Sequence, residues 1–200
     1  MIKGEMMKNP LLMAAATLLT LGLAQTGAAQ GRQGRGAPPA APTITTLAGD
    51  VQADWAIHKD LLVNAADAMP ADKFGYKPTP AQRSYGEQIM HVVAADQSVV
   101  GMLGGKTPAP AINLKAATKA EVMTALHQSM GYWEVMLKEF TDRQLNERVA
   151  TPPDSFLGPS ASRLRLVYVS IAHGLDIYGQ MVVYLRLNGI VPPASRRGGI

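Results

Sequence analysis

The 200 residues are 47% hydrophobic and 17% charged, enough apolar content to bury one substantial core and too much for a mainly disordered chain. There is no cysteine, which excludes disulfides, thiolate metal sites, cysteine nucleophiles and a lipid-modified N-terminal cysteine; any metal must rest on nitrogen and oxygen. The net charge of +4 belongs to the ends: residues 43–189 hold 13 basic and 14 acidic side chains, so nucleic acid is not an expected partner.

Residues 1–29 read as a secretory signal, with Lys3 and Lys8 in front, a mostly apolar run from Leu11 to Ala24, and small residues at Gly27, Ala28 and Ala29 for a peptidase. That 14-residue run falls short of the roughly 20 residues that span a bilayer, so no stable membrane span is expected after cleavage. The expected location is periplasmic or extracellular, and an uncleaved anchor would leave the domain in the same compartment. Residues 30–42 (QGRQGRGAPPAAP) have no apolar period and read as a flexible Gly/Pro/Ala spacer; residues 196–200 form a short tail.

From Thr45 the chain shows helical periods and no convincing alternating strand. The first segment, Leu47 to Met69, lines up Val51, Trp55, His58, Leu62, Ala65, Ala66 and Met69 before Pro70 ends it. The second opens on a capping box, Ser84-Tyr85-Gly86-Glu87, and runs through Ile89, Val92, Val93, Val99, Val100 and Leu103 to Gly104-Gly105. Its low charge predicts a central position. A second capping box, Thr118-Lys119-Ala120-Glu121, precedes a stripe of Val122, Leu126, Ser129, Trp133, Met136, Leu137 and Phe140. The fourth segment starts near Ser162, carries Leu166, Val169, Ser170, His173, Ile177, Gln180, Tyr184 and Leu187, and ends at Asn188-Gly189.

Four amphipathic helices predict an all-α four-helix bundle. The connections from Pro70 to Arg83, Gly104 to Ala117 and Thr141 to Ala161 all exceed the usual spacing of antiparallel neighbours. The middle one, 14 residues, can reach roughly 46 Å against the ~30 Å of a 20-residue helix, so its length permits a crossover that makes helices two and three parallel.

Metal sites in bundles are built from inward side chains on facing helices, and each segment here has one histidine. His173 lies on its stripe with Gln180 and Tyr184. His58 is on an inner edge, His91 on a small-residue face with room for a ligand, and His127 well off its stripe, as a surface residue would be. One turn beyond His173 stands Ile177, so no His-x-x-x-His pair is completed. A lone inward histidine is also commonly a hydrogen-bonded core residue, and that reading stands beside the ligand reading for His58, His91 and His173. Asp96 interrupts the apolar line of helix two, either as a carboxylate ligand or partner to a histidine, or as an acid that caps a loop or meets an arginine. Tyr132, Trp133, Tyr178 and Tyr184 read as packing. Glycine inside a helix costs about 1 kcal/mol against alanine, so Gly174 and Gly179 predict close approach of a neighbouring helix. Nucleophile elbow, P-loop, dinucleotide fingerprint and HExxH motifs do not occur.

The segment Ser84-Tyr85-Gly86-Glu87-Gln88-Ile89-Met90-His91, followed by Ile177-Tyr178-Gly179-Gln180 and Tyr184-Leu185-Arg186-Leu187-Asn188-Gly189-Ile190-Val191-Pro192-Pro193, resembles the DinB family. Met69 to Phe74 with Lys77-Pro78-Thr79-Pro80 is similar to that family's first connection, and the likeness covers Leu47 to Ser195. The resemblance implies a bundle with two parallel neighbours, commonly a homodimer, and a divalent metal such as zinc or nickel held by three histidines. Two of these fall on His91 and His173 and the third on Ile177, which cannot coordinate; His58, Glu87, Asp96 and Asp176 are the candidates to replace it. Two functions follow as expectations. One is a non-catalytic or weakly metal-binding module for a small molecule or a partner, with a degenerate site. The other is a metal-dependent hydrolase or thiol transferase using His91, His173 and a substitute ligand.

Overall fold

The four long helices begin where a hydroxyl replaces the missing helical hydrogen-bond acceptor. The computed structural model describes residues 46–196 and places α1 at Leu47–Ala68, α2 at Tyr85–Leu103, α3 at Lys119–Leu137, a short α4 at Asp142–Asn146, α5 at Arg163–Leu187 and a final turn, α6, at Pro193–Arg196. The export signal expected over 1–29, the spacer over 30–42 and the tail beyond 196 lie outside the described residues. Both expected capping boxes form. Ser84 Oγ accepts from Glu87 N–H at 3.2 Å while the Glu87 carboxylate accepts from Ser84 N–H at 2.6 Å, and Thr118 and Glu121 do the same. At the other end of α2 and beyond α5, Gly104 (φ 68°) and Gly189 (φ 72°) take the left-handed conformation that stops a helix.

Side-chain contacts fix the helix directions. Arg163 Nε donates to Leu103 O at 2.8 Å, and Gln88 Nε2 donates to Gln180 Oε1 at 2.8 Å, so α2 and α5 are antiparallel. Tyr168 Oη donates to Asp54 at 3.1 Å while His58 meets Gly174, so α1 and α5 are parallel. The crossover is tied at both ends: the Glu139 carboxylate, just past α3, accepts from Lys106 N–H at 2.5 Å and Thr107 N–H at 2.9 Å, and that of Glu121 accepts from Ala117 N–H at 3.2 Å. It therefore carries the chain from the end of α2 back to the start of α3, and those two helices run side by side in the same direction. The expected DinB-like bundle with a long middle crossover is the fold observed.

The third connection is not an unstructured loop. It holds α4 and a two-stranded antiparallel hairpin, β1 (Arg148–Ala150) with β2 (Ser160–Ser162), registered Val149 to Ala161. Three residues are too few to show an alternating pattern, which is why no strand was legible there. Asp142 of α4 caps α1 from outside its own helix, accepting from Leu47 N–H at 3.2 Å and Ala48 N–H at 2.8 Å. Arg163, at the start of α5, binds Gln144 O and Glu147 as well as Leu103 O, and lies over the Phe140 ring at 5.4 Å.

The core joins all four long helices. Trp55 and Trp133 stack at 4.5 Å, and Trp55 Nε1–H donates to Met130 O at 3.4 Å. His58, 1% exposed, meets Trp55 edge to face at 4.9 Å. Its ring also occupies the place a β-carbon on Gly174 would take, which bears out the close approach expected there. Gly179 differs, since it is exposed and a β-carbon on it would meet nothing within 4 Å. Gly174→Ala should therefore destabilise the fold by about 1–3 kcal/mol, the range for overpacking a core. Denaturant unfolding of Gly174→Ala, His58→Ala and the double variant measures it, and the double variant should lose less than the two single losses added together.

Candidate functional site

The antiparallel pairing of α2 and α5 brings His91 and His173 together, with ring centroids 4.8 Å apart and planes at 81°. Both are half-buried, and His173 Nε2 is shielded from solvent without a hydrogen-bond partner. Burial holds the His91 pKa below its ordinary value, assisted by the positive charges of Arg83 and His173. The two rings are crowded, and His173 Nε2 is a nitrogen without a partner. Ile177, one turn beyond His173, is 2% exposed.

The four candidates for a third ligand are occupied otherwise. Glu87 serves its capping box and pairs with Lys77 at 3.1 Å; those contacts, with the Ser84 N–H first, keep its carboxyl below the usual range. Asp176 is exposed and accepts from Gln180 Nε2 at 3.1 Å. His58 is enclosed by Trp55 and Gly174, and burial pushes its pKa down to about 4. Asp96 is 1% exposed in the core, where burial raises its carboxyl to about 8. Its neighbour is Ser170 rather than a histidine, and neither Asp96 oxygen nor Ser170 Oγ has a partner of acceptable hydrogen-bond geometry. His127 is exposed, as expected. Among the described residues no three His, Asp or Glu side chains are grouped to hold a metal. Two imidazoles beside a buried isoleucine fall short of the ligand set of a catalytic zinc centre, which usually takes three protein ligands and an open position.

Toward the start of α2, polar side chains join that helix to α5. Gln88 Nε2 donates to Gln180 Oε1, and Tyr184 Oη donates to Arg83 O at 2.8 Å. Beyond them, a cleft of about 770 Å³ opens between the first connection, the start of α2 and the returning crossover. His91 lines it together with Phe74, Lys77, Arg83, Met90 and Lys115. Sequence reasoning missed most of these. Arg83, Lys77 and Lys115 sit in connections without a period, and only the crossover's return brings Lys115 to α2.

An all-α bundle with parallel second and third helices and a site on the second and last defines a class that can be compared. Residues 52–181 match the model of the DinB superfamily, and the chain belongs to that superfamily. Solved structures agree on the fold. A DinB-like protein from Bacillus cereus ATCC 10987 superposes with a TM-score of 0.62 at 18% identity, covering 76% of this chain and 98% of its own. A DinB-like protein from Bacillus subtilis gives 0.55 at 18% identity, covering 70% of this chain and 92% of its own. A search of curated proteins finds no match.

The buried acid has a measurable consequence. The folded chain keeps the Asp96 proton up to about pH 8, whereas the unfolded chain releases it near 3.8. The contribution of this group is therefore full below pH 3.8 and is lost as pH rises through 8. Asp96→Asn should flatten the fall in Tm between pH 5 and 9. His58 acts in the opposite sense, costing stability as pH falls from 6.5 toward 4, so the test is the difference between variant and parent melting curves at each pH.

Proposed function

We propose that this DinB-superfamily chain is an exported, non-catalytic or weakly metal-binding module that takes a small molecule, with a metal site degenerate at Ile177. The observation that carries the reading is the His91–His173 pair at 4.8 Å, with a buried isoleucine one turn from His173. His173 Nε2, buried and unpartnered, leaves the pair able to hold a metal weakly. The hydrolase or thiol-transferase reading needs a third protein ligand, and none joins the pair among the described residues.

Zinc and nickel titration of tag-free protein tests this. The parent should bind with a Kd weaker than about 1 µM, and Ile177→His should tighten it on the order of 100-fold by completing a three-nitrogen set. Submicromolar binding at one site in the parent, abolished by His173→Ala, would overturn the degenerate-site reading and reopen the catalytic one.

The module is proposed to be a homodimer joined through α5. This helix has a mean hydropathy of 1.3 over its most apolar stretch, of which 39% is buried. Tyr168, Leu175, Val183 and Leu187 are 40–58% exposed along it, an apolar surface of the kind that marks an interaction site. Sedimentation analysis should give twice the chain mass for the parent, and one chain mass for the pair Leu175→Lys with Val183→Lys.

A further inference from the structure

The cleft beside His91 has an unbalanced charge. Lys77, Arg83 and Lys115 line it against one acid, Glu87, and Glu87 is already engaged by Lys77 and by the Ser84 N–H. Arg83 and Lys115 are exposed and take part in no salt bridge among the described residues. Their backbones are nonetheless fixed. Arg83 O accepts from the buried Tyr184 hydroxyl at 2.8 Å, and Lys115 N–H donates to Asn113 Oδ1 at 3.0 Å, beside the buried Ala116. Two unpaired cations thus line the cleft from held backbone positions.

Apolar side chains share the walls with polar ones. Phe74 packs edge to face on Tyr85 at 5.6 Å, and Met90 and Leu114 join it in the lining, with Leu114 52% exposed. A volume of about 770 Å³ falls within the range of small-molecule sites.

We propose that the cleft binds a small organic anion, its carboxylate or phosphate head held by Arg83 and Lys115 and its apolar body against Phe74, Met90 and Leu114, with His91 at the inner end. This rests on the small-molecule reading of the site and adds the charge and shape of the occupant. The His91 imidazole there supplies a hydrogen-bond donor or acceptor to the bound molecule.

Isothermal titration and amide-shift mapping with 4-phenylbutyrate, its neutral isostere 4-phenylbutyramide, phenyl phosphate and inorganic phosphate test the assignment. The acid and the phenyl phosphate should bind on the order of ten-fold tighter than the amide, and tighter than inorganic phosphate, with shifts at Arg83, His91 and Lys115. Arg83→Gln with Lys115→Gln, both at exposed positions, should keep the parent melting temperature and bring the acid down to the affinity of the amide. Equal binding of acid and amide would overturn the charge assignment and leave the module reading standing. Inorganic phosphate binding as tightly as phenyl phosphate would overturn the apolar part. Shifts away from the cleft, or none with any probe at millimolar concentration, would overturn the assignment and the small-molecule reading together.

Discussion

The close approach of α1 and α5 at His58 and Gly174 is the constraint on which the site depends. The imidazole fills the space of an absent side chain, so these parallel helices cannot slide past each other without either a clash or a void. Trp55 extends the lock to α3 by stacking on Trp133. With α5 held in this register, the residue beside Gly174 is His173, and the antiparallel α2 presents His91 to it. The pair is assembled by packing elsewhere rather than by mutual attraction.

The interior around that lock holds polar side chains from all four long helices. His58, Asp96, Ser129 and Ser170 come from α1, α2, α3 and α5, each at most 3% exposed, and each has side-chain atoms without a hydrogen-bond partner. Such groups cost free energy when buried and act more on which structure forms than on how stable it is. The two titratable ones are displaced in opposite directions, His58 down to about 4 and Asp96 up to about 8. Between those pH values both are uncharged, so the interior carries polarity without net charge.

Much of this was legible in the sequence. The caps at Ser84 and Thr118, the stops at Gly104 and Gly189 and the inward stripes are local features that show through any packing. The likeness to a known family supplied the parallel second and third helices, which loop length alone only permitted. What was not legible depends on three dimensions. Val149 and Ala161 are too few residues to announce a hairpin, Asp96 could have met a histidine or an arginine and lies by Ser170, and Leu187, on the expected inner stripe, is 58% exposed. The cleft was invisible because its cations sit in connections whose spatial order is set by the crossover. Gly174 and Gly179 carried the same local signal, and only the neighbour's position separated them.

The placement of the first and last long helices side by side has a kinetic consequence. Their contacts join residues more than one hundred positions apart, Asp54 with Tyr168 among them, so closing the bundle requires a loop that spans most of the domain. During synthesis α1 has no permanent neighbour on that flank until α5 leaves the ribosome. The domain therefore stays open until its final quarter emerges, and a chain truncated before α5 would leave the face of α1 around Asp54 and His58 uncovered rather than form a smaller stable unit.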